Sequence, residues 1–596
     1  MRKRNDWFFL PLLLGLSACA SSPGAVQANP DPHQATLRAL SVSTYYIDGV
    51  SGDDGAAGTS SSSPWKTLAK LNGSTFASGD VLSFKRGSVF SGTVLTIKDA
   101  GVTLNTYGDG NAPVFENPGA LKVLDVTASD VTVDGLAFND TAVFSTFGDA
   151  EYRNSGAVLI EQNADNVTVK NSEFSNVGLG VKSYGASTTL TGNFFHDLKI
   201  AYRDADQSYG AVGVSLNNSG ATVSYNRFVN CRSTDSPYGA DGGAIEIEGY
   251  DNQKNDINIH HNTSSGSQGF IEVTETSSSN VTIAQNLSDD YQHFLAFDTT
   301  TAPSGYRVEH NTIVRTHTAN AINVFAILYY REVVATPNDS WLSIRNNVFY
   351  TPAAKVLRGT YTYTDYDFPH DHNLYYDGSN DPLGYTPGVG DTVGDPNFIG
   401  NTDYHLAASS PAIDIGVGLG YNSDLGGAAM PVGAAPDAGA YEFQGIRASN
   451  LLGDPGFEGS SSLTSPWFTE SGGSDGFFGV DAGAGQSRSG ANNAWISTGG
   501  SNWNALEQRV AVAANTDYTL SGWVRNSGNF SAGYFGVKTT GGTVLKEVQH
   551  GSVPGYVQYS VNFNSGTNTV VVVHSGYYGP GASSWQQLDD ASLVRQ

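Results

Sequence analysis

The chain has 596 residues, a formal net charge of −26 at pH 7, 70 glycines, only 15% charged residues and two cysteines. This length is enough for several domains or for one long solenoid with additional domains. The excess of acidic residues argues against nucleic acid or an anionic membrane surface as partner, and together with the glycine content it favours a β-rich extracellular protein.

The N-terminus carries a targeting pattern. The basic residues Arg2, Lys3 and Arg4 precede an apolar stretch, Trp7–Leu16, and then Leu-Ser-Ala-Cys19. This resembles a bacterial lipoprotein signal, which implies that Cys19 is lipidated after cleavage; an ordinary secretory signal is the alternative. The apolar stretch is too short for a transmembrane helix. We therefore expect a signal peptide at 1–19, a flexible tether at 20–42, and an exported protein held at the cell envelope by its lipid alone.

The folded part opens with a recognisable phrase. Thr44-Tyr-Tyr-Ile-Asp48 is followed by an acidic glycine-rich turn, Asp53–Gly58, and by Pro64-Trp-Lys-Thr-Leu68. These motifs resemble the N-terminal cap of right-handed parallel β-helix proteins of the pectate-lyase-like superfamily. The resemblance covers roughly 43–443, and it implies a solenoid of parallel strands whose open end is protected by the cap.

A short strand phrase then recurs at irregular intervals. Each copy alternates apolar and polar residues and turns at an Asn, as in Asn166–Asn171 and Asn280–Asn286. A variable period of this size with strand alternation independently predicts a β-solenoid. The side chains that we expect to form an amide ladder are Asn171, Asn193, Asn226, Asn262, Asn286, Asn311, Asn347 and Asn373.

An acidic cluster emerges when the strands that follow each Asn turn are aligned. Stacking the coils predicts that Glu246, Glu248, Glu272 and Asp298 share one outward face. Carboxylates this close cannot all ionise, and such a set can divide acid and base roles in glycoside hydrolysis. Glu246 beside Glu272 suits a retaining enzyme, and Glu248 diagonal to Glu272 suits an inverting one. A solvated acidic face is the alternative.

The same alignment predicts the surroundings of the cluster. It places Gly180 and Gly213 in the column of Glu246, where they would open a groove for a sugar ring, and Lys182 and Ser215 in the column of Glu248. Two long loops, 201–209 and 232–241, rise beside these columns. The residues predicted to contact the glycan here are Tyr202, Arg203, Tyr209, Tyr238, Asp241 and Tyr250.

A Ca²⁺-dependent polysaccharide lyase is the competing enzyme class. Glu246-Ile-Glu248 resembles the paired acidic Ca²⁺ ligands of chondroitinase B-type and alginate lyases. Those enzymes also use a Lys base and an Arg on the next coil, yet only Lys254 lies near and Thr274 stands where the Arg should be. Without cationic groups an enolate is not stabilised, so β-elimination is disfavoured. A glycan-binding adhesin without catalysis remains the third alternative.

The C-terminal part changes character. After a linker at 444–449, residues 450–596 read as short alternating strands that predict a jelly-roll sandwich. Its opening, Asn450-Leu-Leu to Phe457-Glu458, and its ending, Leu588-Asp-Asp590, resemble carbohydrate-binding modules attached to xylanases and glucanases. The resemblance implies a structural Ca²⁺ at Glu458 and Asp590.

Several aromatic residues of the C-terminal part lie in loop-like stretches. Trp503, Tyr577 and Tyr578 are flanked by Gly, Ser and Asn, where a ring is free to stack on sugar. The whole sequence thus predicts an all-β protein, a parallel β-helix followed by a β-sandwich. We expect a monomeric, surface-anchored polysaccharide-degrading hydrolase that needs no cofactor for catalysis and has no nucleic-acid partner.

Overall fold

The structure is a computed structural model. It describes residues 42–595 apart from 145, 147, 250–252, 300, 318–323, 328–337, 354–355, 357–367, 379–386, 446–449, 460, 474–475, 484–485 and 530–531. The chain divides into two units, Met1–Val42 and Ser43–Gln596, and all described strands and helices belong to the second. Within the described ranges the helices are Leu68–Asn72 and Asp149–Asn154.

Three long parallel sheets build the N-terminal part. One has the strands Thr44–Ile47, Val81–Lys85, Thr103–Tyr107, Thr132–Asp134, Thr168–Lys170, Thr189–Thr191, Thr222–Ser224, Lys254–His260, Ser278–Ala284, Tyr306–Glu309, Leu342–Arg345 and His370–Asp371. Another has Val89–Ser91, Val114–Asn117, Ala137–Thr141, Glu173–Ser175, Phe194–His196, Arg227–Val229, Thr263–Ser265, Leu287–Asp289, Thr312–Val314, Val348–Tyr350, Leu374–Tyr376 and Thr392–Val393. The third, called the glutamate sheet below, has Leu95–Ile97, Leu124–Val126, Val158–Ile160, Leu179–Ser183, Val212–Leu216, Gly243–Glu248, Ile271–Thr274, Leu295–Asp298 and Phe325–Ile327.

Successive coils place one strand in each sheet, so the three sheets are the sides of a parallel β-helix, as predicted. A hairpin of Ile200–Arg203 and Ser208–Gly210 projects from this solenoid.

A column of aromatic rings fills the interior. Phe138, Phe174, Phe195 and Phe228 occupy equivalent positions of successive coils, with ring centroids 4.6–5.0 Å apart. Each ring is buried. Because no single coil can cover these rings alone, stacking of the coils is what removes them from water.

The Asn ladder forms, with one difference from the prediction. From Asn193 to Asn373 each side-chain Nδ2 donates to the Oδ1 of the next ladder Asn at 3.0 Å. Asp391 ends the series as the last acceptor. The prediction was wrong for Asn171, because Ser172 occupies the ladder position there and its N–H donates to Asn193. Asn171 turns outward and donates to Asp134.

Segments before and after the coils pack against the solenoid. In the cap, the ring of Trp65 stacks on Tyr45 at 4.9 Å, and Thr67 caps the first helix by accepting the N–H of Lys70. After the last coil the chain runs back along the turns, where Tyr404 donates to Asp289 and Asn346 donates to the Val417 carbonyl. The returning segment is thus held against the side of the solenoid.

The C-terminal part is a sandwich of two antiparallel sheets, as predicted. The sheet called the Trp503 sheet has Trp467–Ser471, Trp503–Ala511, Val570–Tyr578, Gly533–Thr539 and Val544–His550. The sheet called the Trp495 sheet has Gly476–Ala482, Asn492–Thr498, Ser584–Arg595, Asp517–Asn526 and Val557–Asn564. Apolar side chains from both sheets form a single core between them.

Candidate functional site

Two glutamates project from one strand of the glutamate sheet. Glu246 and Glu248 stand on Gly243–Glu248, whose Ile245 and Ile247 point into the core. Because alternate side chains of a strand share a face, both glutamates point outward, with Cα atoms roughly 6.7 Å apart.

The neighbouring coils add the other predicted carboxylates. Glu246 pairs with Glu272, Glu248 pairs with Thr274, and Thr274 pairs with Asp298. This part of the predicted register is confirmed. Adjacent strands lie about 4.8 Å apart, so Glu272 is the direct neighbour of Glu246. The Cα atoms of Glu272 and Glu248 lie about 8 Å apart on a diagonal of the sheet.

The register predicted for the two preceding coils was wrong by two residues. Ser215 pairs with Glu246, not with Glu248, and Lys182 pairs with Ser215. Gly180 and Gly213 therefore do not flank the glutamates. A Cβ added to either would stand 2.6–2.7 Å from the ring of Phe195 or Phe228. Both glycines are needed for close passage over the aromatic column, and they open no groove beside Glu246.

Glu248 lies at the centre of a buried hydrogen-bond network. Its Oε1 accepts from Lys182 Nζ and from the Tyr209 hydroxyl, both at 3.3 Å, and also from the Ser215 hydroxyl. The Lys182 side chain is 0% exposed and that of Glu248 is 4% exposed. Lys182 Nζ also lies 3.4 Å from the centre of the Tyr152 ring and donates to Tyr209 at 3.0 Å.

This network sets the charge of Glu248. Burial opposes ionisation, but the Lys182 charge and the hydrogen bonds from Ser215, Tyr152 and Lys182 outweigh it, and the pKa of Glu248 is lowered. Burial lowers the pKa of Lys182, while the charges of Glu248 and Glu246 act in the opposite direction. Glu248 is thus the ionised member of the cluster.

The neighbouring carboxyls are shifted the other way. Burial and the charges of Glu248 and Glu272 raise the pKa of Glu246 well above its usual range. Burial and the charges of Asp298, Asp241 and Glu248 raise the pKa of Glu272 to about 8. The Glu272 side chain is 24% exposed, so it reaches solvent. One face therefore holds carboxyls of opposite protonation state, the arrangement required for paired acid and base chemistry.

Two further acids and a histidine border the cluster. Asp241, on the loop that closes at the Ser233–Asp241 bridge, accepts from the Ser208 hydroxyl at 2.5 Å, and burial raises its pKa. Asp298 is buried. His293 Nε2 lies 4.0 Å from Glu272, and burial, followed by the Arg315 charge, lowers the pKa of His293 to about 3. Because the imidazole of His293 is neutral, it adds no positive charge that would lower the pKa of Glu272.

Sequence reasoning missed two parts of the network. Lys182 was aligned on the correct face but given no role, and Tyr152 reaches Glu248 from the helix Asp149–Asn154. Tyr209, predicted near the acids as a residue that stacks on sugar, instead donates its hydroxyl to Glu248 from the hairpin. A lysine on the outward column of a buried sheet was the available signal for Lys182, because an unpaired buried ammonium is costly. No comparable signal exists for Tyr152, whose position depends on loop conformation.

The residues predicted to contact glycan near the cluster differ in their exposure. The prediction for Tyr202 was wrong, because its ring is buried and stacks on Phe144 while its hydroxyl donates to Asp204. Tyr238 is exposed, and Arg203 is half-exposed and pairs with Asp235 at 2.9 Å. Tyr250 lies outside the described residues.

The structure shows the surroundings of the two positions at which a lyase would carry an Arg and a Lys base. Thr274 is the residue opposite Glu248, so no Arg stands there. Lys254 is buried, and its Nζ donates to the Gly249 carbonyl at 2.6 Å. Among the described residues no group of three or more His, Cys, Asp or Glu side chains is placed to hold a metal ion.

A second candidate surface lies on the Trp503 sheet. Trp503 and Tyr578 are paired residues of adjacent strands with ring centroids 5.2 Å apart, and Tyr534 lies 6.0 Å from Trp503. Glu470 accepts from Trp503 Nε1 and from Lys538. These aromatic residues stand on strands, not in the predicted loops. The prediction for Tyr577 was wrong, because alternation turns its side chain into the sandwich core, where it is fully buried.

The predicted calcium ligands approach each other. Glu458 Oε1 accepts the N–H groups of Ala491 and Asn492, and Asp590 pairs with Arg488 at 2.9 Å. A Cβ added to Gly456 would stand 3.6 Å from Asp590 Oδ1 and 3.8 Å from Glu458 Cγ. Both side chains therefore border the same piece of main chain, and their carboxylate oxygens are ligands of the type that Ca²⁺ prefers.

The predictions for the N-terminus, including Cys19, lie outside the described residues. In the part of the chain that the structure describes, no helix is long and apolar enough to cross a membrane. Cys231 follows the strand Arg227–Val229 and is fully buried, and burial raises the pKa of its thiol, so it is a core residue and not a nucleophile.

Comparison with known proteins gives limited similarity. No protein-family model matches the chain. A lacto-N-biosidase of Bifidobacterium longum subsp. longum is 33% identical over 118 residues, which are 18% of this chain and 7% of the relative. The chain thus matches less than a tenth of the length of that relative.

Two solved structures match parts of the chain at low similarity. A GH136 lacto-N-biosidase from Eubacterium ramulus covers 59% of this chain and 67% of its own at 12% identity, with a TM-score of 0.37. The carbohydrate-binding module TmCBM61, in complex with β-1,4-galactotriose, covers 25% of this chain and all of its own at 20% identity, with a TM-score of 0.21. Similarity at this level identifies no family, and the architecture rests on the strand pairing itself.

Proposed function

We propose that this chain is a glycoside hydrolase that cleaves an extracellular glycan at the outer face of the glutamate sheet. The observation that carries the proposal is the contrast between Glu248, held ionised by Lys182, and Glu246 and Glu272, whose pKa values are raised. When neighbouring carboxyls have different pKa values, the one with the low pKa can act as a base and the one with the high pKa as an acid.

The geometry suggests how the roles divide. Glu272 is protonated at neutral pH and partly exposed, so it is the general acid that gives its proton to the glycosidic oxygen as the C–O bond breaks. Glu248 is the base that removes a proton from the water whose oxygen bonds to the anomeric carbon. The Cα atoms of the two glutamates lie on a diagonal of about 8 Å, which allows the carboxyl separation of roughly 6.5–9.5 Å that inverting enzymes use. Glu246 lies between them and holds a second proton.

The comparisons support the substrate class without naming the substrate. The 33% identity to a lacto-N-biosidase over 118 residues favours glycosidase chemistry. Because the match spans so little of that relative, its activity is only a reason to include its substrates in a panel of glycans to be screened.

The sandwich would hold the enzyme on its substrate. Trp503, Tyr534 and Tyr578 present three neighbouring rings on one face, with the Glu470–Lys538 pair beside them as hydrogen-bonding groups. Rings flanked by polar groups suit the mixed apolar and hydroxyl surface of a sugar. Beside the acids, Tyr238 and Arg203 of the two loops would extend the substrate contact.

Two structural features complete the proposal. Glu458 and Asp590, with neighbouring main-chain oxygens, would hold a Ca²⁺ that replaces Arg488 as partner of Asp590 and stabilises the module. Lipidation of Cys19 would anchor the exported protein at the cell envelope.

The test separates the two catalytic roles on the full chain. Glu272→Gln should lose activity on natural glycans but keep activity on aryl glycosides, because a good leaving group needs no acid. Glu248→Gln should lose both activities. Glu161→Gln, a partly exposed acid of the same side of the solenoid, is the matched control.

Three outcomes would contradict the assignment. Near-wild-type cleavage by both glutamine variants would exclude this site. Unsaturated uronate products would show that the enzyme is a lyase, which cleaves by β-elimination and not by hydrolysis. Binding without cleavage across the whole panel would leave a glycan-binding solenoid.

A further inference from the structure

The outer face of the Trp495 sheet carries large aromatic side chains. Ala494 and Ile496 of Asn492–Thr498 are core residues, so Trp495 and Ser497 point outward. In the same way Leu588 is a core residue, and alternation turns Trp585 outward. This face is on the other sheet from Trp503, and no role assigned above uses it.

The register places these side chains in rows across the sheet. Phe477 pairs with Ser497, and Ser497 pairs with Trp585. Phe477 is 66% exposed and Trp585 is 37% exposed. Two strand spacings, roughly 10 Å, therefore separate two exposed rings, with a small hydroxyl residue between them.

The adjacent row supplies a fixed ring and a fixed cation. A Cβ added to Gly479 would stand 2.8 Å from the Trp495 ring, so the indole lies directly against the main chain of the edge strand. The Arg525 guanidinium donates to Gln587 and Gln486 and lies 5.7 Å from the centre of the Trp585 ring. These contacts hold Trp495 and Arg525 in position before any ligand arrives.

From this arrangement we propose that the sandwich has a second glycan-binding surface, formed by Phe477, Trp495, Trp585 and Arg525. The ligand is a chain of sugar rings that lies across the strands. Its apolar faces stack on the rings, and its hydroxyls bond to Arg525 and Ser497. Polar groups alternate with the rings, since Ser497 lies between Phe477 and Trp585 and two glutamines lie beside Arg525, and this mixture matches the alternating apolar faces and hydroxyls of a sugar chain.

A second surface changes how the module holds a polymer. The Trp503 sheet and the Trp495 sheet form opposite faces of the sandwich. One protein could therefore engage two segments of one glycan chain or two neighbouring chains, and binding of the second segment becomes an intramolecular event. This inference rests on the proposed glycan-binding role of the module but not on the catalytic assignment.

The experiment uses the full chain and counts sites. A polysaccharide that retards the protein in affinity electrophoresis is chosen from a panel, and a short oligosaccharide of it is titrated calorimetrically. Phe477→Ala/Trp585→Ala and Trp503→Ala/Tyr578→Ala should each lower the stoichiometry by one. Each double variant should also weaken polymer binding by at least roughly tenfold through lost avidity. Melting curves of both double variants should match that of the wild type, which shows that the loss is one of binding and not of folding.

The outcomes separate the two proposals. If Phe477→Ala/Trp585→Ala leaves stoichiometry and retardation unchanged while Trp503→Ala/Tyr578→Ala removes both, the second surface is refuted and the module's proposed role stands. If no panel glycan binds, both fail. If sedimentation shows a dimer that Phe477→Ala/Trp585→Ala dissociates, the surface is an interface between two copies of this chain, and the inference is again refuted.

Discussion

Replacing Glu272 by Gln should make the protein more stable at alkaline pH. The folded protein raises the pKa of this carboxyl from 4.5 to about 8, first through burial and then through the charges of Asp298, Asp241 and Glu248. A raised carboxyl pKa means that the fold favours the protonated form. Glu272 therefore does not change stability below about pH 4. Stability falls as the pH rises from the ordinary pKa of this carboxyl to its pKa in the folded protein, and the loss is complete above about pH 8.

The size of the effect follows from the same numbers. The pKa difference is about 3.5, and each unit corresponds to about 1.4 kcal/mol, so ionised Glu272 costs the fold up to about 5 kcal/mol. Glutamine is nearly isosteric and cannot ionise, so the Glu272→Gln variant avoids this cost. Residues arranged for chemistry commonly reduce stability in this manner.

The assay compares melting temperatures of wild type and Glu272→Gln at about pH 4 and about pH 9. The variant should melt close to the wild type at the acid pH and clearly above it at the alkaline pH. Glu161→Gln, which removes a partly exposed carboxyl paired with Lys122, should show no such pH-dependent gain. A Glu272→Gln variant that is no more stable than the wild type at alkaline pH would refute the description of Glu272 as a carboxyl that the fold keeps protonated.

Three further predictions concern the ion pair of Glu248, the N-terminal cysteine and the predicted calcium ligands. Lys182→Met should raise the pKa of Glu248 by removing its ion pair, so the acidic limb of the kcat/KM profile should move to higher pH; an unmoved limb would contradict this. Cys19→Ser should release the protein from the membrane fraction, since each buried CH₂ of an acyl chain contributes about 0.8 kcal/mol; a membrane-bound variant would disprove lipidation. A chelator should lower the melting temperature of the wild type but not of a Glu458→Ala/Asp590→Ala variant, because bound Ca²⁺ stabilises by mass action; equal curves with and without chelator would exclude the metal.

The sequence was sufficient for the architecture because the relevant signals are local. Strand alternation and the recurring Asn turns predict coils without knowledge of distant contacts, and the ladder from Asn193 to Asn373 appears as expected. The pairing of Glu246 with Glu272 was predictable for the same reason, since both stand at equivalent places in nearly identical strand phrases.

The errors arise where the chain departs from its own period. Gly180 and Gly213 take the tight inward position that Ala244 fills on the next coil, which shifted the predicted register of Lys182 and Ser215 by two residues. Strand alternation does not reveal where a strand begins, so such a shift is invisible without the packing beneath it.

Loop geometry limited the rest of the site. Tyr152 reaches Glu248 from a helix outside the repeat, and Tyr209 reaches it from a hairpin. Tyr202, in the same hairpin, is instead buried against Phe144. Tyr577 and Tyr578 are adjacent in the chain, but strand alternation buries one and exposes the other. Composition alone cannot distinguish these cases, because each depends on which face of a strand the ring occupies.

Glycan cleavage by the wild type and by Glu248→Gln, measured on a panel of extracellular glycans, tests whether Glu248 is the base of a hydrolase. Released products are examined for new reducing ends, for the ultraviolet absorbance of an unsaturated uronate, and for anomeric configuration by NMR. The wild type should release new reducing ends of inverted configuration and no unsaturated product, and Glu248→Gln should not cleave. Unsaturated products, or cleavage by Glu248→Gln at the wild-type rate, would contradict the assignment of Glu248 as the base.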